Sequence, residues 1–69
     1  MQTTQQLRTR MERISALRGN ARTLRDCARR YLAAGNVEDA REAYDLAENC
    51  GLEALRLEAT IPAVLTPGA

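Results

Sequence analysis

The chain has 69 residues and a formal net charge of +1, and it contains no His, Lys, Trp or Phe. A chain of this length forms at most one domain with a marginal core. Without His or Lys it lacks the commonest general base and the amine of Schiff-base enzymes, so we expect a non-enzymatic protein with no cofactor and no metal. The small net charge by itself indicates neither a nucleic-acid nor a membrane partner.

Neither a secretion signal nor a membrane span is predicted. Residues 1–6 are polar, and no apolar run approaches the roughly 18 residues that a span requires. Cys27 and Cys50 lack the CxxC spacing of a zinc or redox motif. Ten arginines without a lysine indicate a GC-rich coding sequence, as in a bacterium, phage or plasmid. We expect a cytoplasmic protein with two free thiols.

Two rows of apolar residues repeat every seven positions through the first half of the chain: Leu7, Ile14, Ala21 and Ala28, then Leu17, Leu24 and Tyr31. This pattern predicts a helix from about residue 4 to 34 that packs at a coiled-coil angle. Gly19-Asn20 weakens that helix by roughly 1 kcal/mol, so a break there is the alternative. One continuous helix is favoured, because the rows keep their phase across the dipeptide.

A turn is predicted at Gly35-Asn36. Gly35 suits the left-handed position after a helix end, and Asn36 suits the next N-cap, with Asp39 as its capping-box partner. Four apolar residues then share one helical face: Val37, Ala40, Tyr44 and Ala47. Since Gly51 suits a helix end, we predict a second helix over about 37–50, antiparallel to the first.

A short third helix is predicted over about 52–59, with Leu52, Leu55 and Ala59 on one face. Pro62 prevents its continuation, and the tail over 61–69 is predicted to be irregular. The apolar residues of the tail either pack against the hairpin or meet a partner. The expected fold class is therefore all-α, with a helical hairpin and a short third helix in one domain over 1–60.

The hairpin resembles one tetratricopeptide repeat over about residues 21–54. The segments Leu24-x2-Cys27-Ala28-x2-Tyr31 and Ala40-x3-Tyr44, followed by Ala47, are similar to W-x2-L-G-x2-Y…A-x3-F. Leu stands for the Trp, Ala stands for the Gly, and the final Pro is lacking. The resemblance implies a right-handed helical hairpin that binds proteins, and it implies no chemistry. We expect the two tyrosines to fill the core around the alanines.

A single hairpin would leave part of the first helix uncovered. A second helix that ends near Cys50 reaches back only to about residue 21 of the first. Four apolar residues before that point must then be buried by something other than the second helix: Leu7, Met11, Ile14 and Leu17. The third helix could cover some of them and a second subunit could cover all, so we predict a homodimer with these residues as its seam.

Arginines concentrate in the first half of the chain. Residues 1–30 carry eight Arg against two acids, a sum of +6, and residues 31–69 carry two Arg against seven acids, a sum of −5. This asymmetry indicates either two complementary helices side by side or an interaction surface. Four arginines fall on one helical face, and we predict that they bind a partner: Arg18, Arg22, Arg25 and Arg29.

Three interpretations of these four arginines stay open: a solvated face, a contact to an acidic protein surface, and a grip on nucleic-acid phosphates. We favour a small protein-binding regulator or adaptor, of the inhibitor or co-chaperone type, that docks its hairpin on a larger protein. The alternative is a small nucleic-acid-binding regulator that uses the Arg-rich first helix.

Overall fold

The computed structural model describes residues 3–61 of the chain, and all regular secondary structure in that range is helical. Helix α1 spans Thr4–Ala33 and helix α2 spans Val37–Glu58. The two helices pack against each other in antiparallel orientation, so that Arg10 near the start of α1 hydrogen-bonds Thr60 just after α2. The predicted all-α hairpin is confirmed. Residues 62–69, for which we predicted an irregular tail, lie outside the described residues.

Helix α1 begins at a capping box formed by Thr3 and Gln6. The Thr3 hydroxyl accepts a hydrogen bond from the backbone N–H of Gln6 at 3.1 Å, and the Gln6 amide oxygen accepts one from the backbone N–H of Thr3 at 2.9 Å. Two backbone donors at the helix start are thereby satisfied. The helix then continues through Gly19-Asn20 without a break, as predicted.

The turn between the helices is set by Gly35, whose φ of 83° lies in the left-handed region as predicted. The backbone N–H of Gly35 donates to the carbonyl of Leu32 at 3.0 Å, and that of Asn36 donates to the carbonyl of Tyr31 at 2.8 Å. These two bonds form a Schellman motif, which ends α1 and reverses the chain. Asn36 occupies the N-cap of α2, but its side chain makes no cap hydrogen bond, so the predicted capping box with Asp39 is wrong.

Helix α2 does not end at Gly51. It runs without interruption to Glu58, so the predicted end near Cys50 and the separate third helix over 52–59 are both wrong. A glycine inside a helix costs only about 1 kcal/mol relative to alanine, and no proline or capping residue follows it to stop the helix. Packing offsets that cost, because buried Ala54 lies seven residues after buried Ala47 and so continues the same contact with α1.

The core between the helices is a narrow seam of small side chains. Besides Ile14, every buried residue in the described range is an alanine: Ala21, Ala28, Ala40, Ala43, Ala47 and Ala54. On both helices the central row repeats every seven residues, which is the spacing of a coiled-coil seam. Alanine has a short side chain, so the two backbones can approach closely and the larger residues lie beside the seam.

The two tyrosines are among the residues that the seam excludes. Tyr31 and Tyr44 are each 39% exposed, so the expectation that they fill the core is wrong. The described part of the chain measures 49 × 22 × 13 Å, which is a single layer of two helices. Since domains are usually built from at least two packed layers, both broad sides of this layer are candidate contact surfaces.

Candidate protein-docking face

Two ion pairs across the seam identify the two broad sides of the hairpin. Arg18 of α1 pairs with Glu58 of α2 on one side. On the other side, Arg13 Nη2 lies 3.4 Å from Glu53 Oε1. Residues seven positions apart lie on nearly the same side of a helix, with a drift of about 20°. Each of these pairs therefore fixes the side on which its heptad neighbours lie.

The four predicted partner-binding arginines lie on the side of the Arg18–Glu58 pair. Arg25 follows Arg18 by seven residues, and Arg29 follows Arg22 by the same interval, so the set extends along α1 toward the turn. We call this set the arginine face: Arg18, Arg22, Arg25 and Arg29. The structure thus brings together all four arginines on one exposed surface, as their spacing predicted.

Within the arginine face, the four guanidinium groups differ in their carboxylate partners. Arg18 pairs with Glu58, and Arg29 Nη1 lies 3.3 Å from Asp26 Oδ1 one turn away on the same helix. Arg22 and Arg25 form no ion pair within residues 3–61. Their charges are therefore available to an external anion, whereas Arg18 and Arg29 would have to give up or share a carboxylate.

An open groove of about 880 Å³ lies beside the arginine face, near the end of the hairpin away from the turn. Its lining is mostly apolar, with Met11, Ile14, Leu55 and Ile61, and it also includes Arg18, Arg22 and Glu58. Met11 is 50% exposed and Leu55 is 60% exposed. The groove thus combines accessible apolar surface with two guanidinium groups.

Sequence reasoning did not find this groove. Leu55 was placed on a separate third helix, and only the continuation of α2 past Gly51 brings it beside Met11. The one signal that could have found it is the seven-residue alanine row of α2, which keeps its phase from Ala40 through Ala54 and so favours a continuous helix.

The residues predicted as a dimer seam do not form one exposed surface. Ile14 is 5% exposed and belongs to the core of the hairpin, because the longer α2 covers it. Leu7 and Leu17 are half-buried, and Met11 lies in the groove. The longer α2 thus covers Ile14, and Leu7, Met11 and Leu17 keep part of their side chains exposed.

Residues 3–61 contain neither a buried polar side chain nor a cluster of metal-binding side chains. Neither described helix has a stretch apolar enough to cross a membrane. The features that stand out in this part of the chain are thus an apolar groove and a row of arginines.

No family model, curated protein or solved structure matches this chain.

Proposed function

We propose that this chain is a non-enzymatic protein-binding module, of the regulator or adaptor type, that docks the arginine face and its groove on an acidic, amphipathic segment of a larger protein. The observation that carries the proposal is that Arg22, which has no carboxylate partner in the described range, lines an open, mostly apolar groove. Catalysis is disfavoured because acid–base and nucleophilic groups act in sites that desolvate them, and no polar or charged side chain of residues 3–61 is buried.

The chemistry of the surface indicates what it binds. An amphipathic helix buries its apolar side in a hydrophobic groove, and its anchors recur at three- and four-residue spacing. Met11 and Leu55 supply apolar contact area, and arginine is the cation that is enriched at protein interfaces. Glutamates or aspartates flanking the apolar side of the partner would meet Arg22 and Arg25.

Nucleic acid is the less favoured partner for the arginine face and its groove. Phosphate binding needs a surface of one charge sign, and its affinity rises with the number of phosphates neutralised. The Arg18 guanidinium is already paired with Glu58, and Arg29 is paired with Asp26, so half of the arginine face is neutralised within the chain. The apolar side chains of the groove, Met11, Ile14, Leu55 and Ile61, moreover offer a phosphate backbone no hydrogen-bond donor.

A fluorescence anisotropy titration tests the proposal with two labelled probes. One is an amphipathic helical peptide with leucines on one side and flanking glutamates, and the other is a DNA duplex. We expect the peptide to bind the wild type. The Arg22→Glu/Arg25→Glu variant should bind it at least tenfold more weakly, a loss of about 1.4 kcal/mol or more. Arg30→Glu/Arg56→Glu is the matched control, since it changes the net charge equally at positions that each lie two residues after a buried seam alanine and so on the far side of their helix.

Circular dichroism of each variant accompanies the titration. We expect all of them to stay helical, since the exchanged arginines form no ion pair in the described range. Tighter binding of the duplex than of the peptide, lost steeply on adding salt, would establish the nucleic-acid function instead. Equal peptide binding by both double variants would show the arginine face to be an ordinary solvated surface.

A further inference from the structure

The side of the hairpin opposite the arginine face carries a row of apolar side chains around the Arg13–Glu53 pair. On α1, Leu17 lies four residues after Arg13, and Cys27 lies fourteen residues after it. On α2, Leu46 lies seven residues before Glu53, and Leu57 lies four after it. Helical periodicity places all of these on the Arg13–Glu53 side. We call this surface the leucine face: Leu17, Leu24, Cys27, Leu46, Cys50 and Leu57.

The leucine face is only partly covered within the hairpin. The buried seam consists almost wholly of alanines, so the larger side chains beside it stay half-buried, and Leu46 is 49% exposed. Within residues 3–61 the two helices form a single layer, and no second layer covers these side chains. A row of half-buried apolar side chains with an exposed leucine is a surface that a partner can cover.

We propose that the leucine face binds the leucine face of a second copy of this chain, so that two hairpins form an antiparallel four-helix bundle. This inference goes beyond the proposed function, because the arginine face lies on the opposite side and points outward in both copies. Two docking surfaces on one dimer would let it engage two segments of a partner at once, which raises the apparent affinity without new contacts.

Charge decides which helices meet across the interface. Arg13 of α1 and Glu53 of α2 lie on the side of the leucine face. A two-fold axis parallel to the helices places α1 of one copy over α2 of the other, so that at equal height Arg13 of each copy comes to the level of Glu53 of the other. A two-fold axis across the helices places α1 over α1 and α2 over α2, so these opposite charges no longer face each other. The first arrangement is the one proposed.

The register of the hairpin fits such a dimer. Within the hairpin, Arg10 meets Thr60, so residues whose numbers add up to about 70 lie at the same level. When the two copies align at equal height, Leu24 of one copy meets Leu46 of the second copy, at the middle of the leucine face.

Light scattering coupled to size exclusion tests the proposal on the full chain at micromolar concentration. We expect the wild type to elute with twice its mass of 7.6 kDa. Leu46→Glu should convert it to a monomer. Leu52→Glu is the matched control, because Leu52 lies on the same helix, is exposed to a similar extent at 52%, and is outside the leucine face. This control should remain a dimer.

Thermal unfolding at several protein concentrations supplies a second measurement that needs no variant. The Tm of the wild type should rise with concentration, because dimerisation stabilises only the folded chain. If Leu46→Glu fails to fold, a rising wild-type Tm still supports the dimer. A wild type with the mass of one chain and a constant Tm would overturn the proposal. So would a dimer that Leu55→Glu dissociates and Leu46→Glu does not, since that result would assign the interface to the groove side.

Discussion

Arg18 in the middle of α1 and Glu58 at the end of α2 form an ion pair across one side of the hairpin. The pair exists because α2 continues past Gly51 and brings its last turn back alongside α1. It also divides the arginine face, since Arg18 is held by a carboxylate of its own chain and Arg22, one turn further on, is not. The Arg18–Glu58 ion pair, which joins the two helices, therefore lies next to Arg22, the arginine that we assign to partner binding.

The Arg18–Glu58 pair should contribute little to stability, because both side chains are partly exposed, at 57% and 36%. A double-mutant cycle with Arg18→Gln and Glu58→Gln is expected to give a coupling energy of about 0.2–1 kcal/mol. The coupling should shrink in molar salt, which screens exposed charges. The free energies come from urea unfolding followed by circular dichroism. A coupling of several kcal/mol, or one that salt does not change, would contradict an exposed pair.

Overpacking the alanine seam should be costly. Ala47 is 1% exposed between the helices, so Ala47→Leu must push the two backbones apart. We expect a loss of about 1–3 kcal/mol in the free energy of unfolding. Ala16→Leu adds the same volume on the exposed part of α1 and should be nearly neutral. If the two substitutions had equal effects in urea unfolding, the helices would have to cross elsewhere than at Ala47.

A proline at position 52 distinguishes a continuous α2 from two shorter helices. If a helix began after Gly51, Leu52 would be its first residue, a position where proline is favoured. In the continuous helix Leu52→Pro removes an internal hydrogen bond and should destabilise the chain by about 3 kcal/mol or more. Thr4→Pro is the control, because Thr4 is the first residue of α1 and Thr3 before it is extended, with φ −79° and ψ 162°. Tolerance of Leu52→Pro in thermal unfolding would restore the separate third helix.

The glycines at 51 and 35 should respond to alanine in opposite directions. Gly51 lies within α2 without a positive φ, and a Cβ built there meets no atom within 4 Å. Gly51→Ala is therefore expected to stabilise the chain by about 0.4–1 kcal/mol. Gly35 has a φ of 83°, so Gly35→Ala should destabilise it by about 1–2 kcal/mol. Urea midpoints of the two variants test this, and destabilisation by Gly51→Ala would indicate a close approach at that glycine.

Local signals in the sequence were sufficient to predict the hairpin itself. The seven-residue rows through Ile14, Ala21 and Ala28 predicted α1 as one helix, and Gly35 predicted the turn. Each of these features depends on residues that are neighbours along the chain. A left-handed glycine or a continuous apolar row acts within a few residues, so it can be recognised before the partner helix is known. The shared face of Arg18, Arg22, Arg25 and Arg29 follows from the same periodicity.

The tertiary structure decided the features that depend on contacts between residues far apart in the chain, namely where α2 ends and which side chains the two helices bury. Glycine occurs at helix ends, and inside a helix it costs only about 1 kcal/mol relative to alanine. Contact of α2 with the first half of α1 therefore suffices to keep Gly51 inside a continuous helix. The same contact buries alanines rather than Tyr31 and Tyr44, because only small side chains fit between closely packed backbones. It also pairs Arg18 with Glu58 and builds the groove from Met11 and Leu55. The sequence by itself thus determined which residues share a helical face, and only the packing of α2 on α1 determined which of those faces stays open.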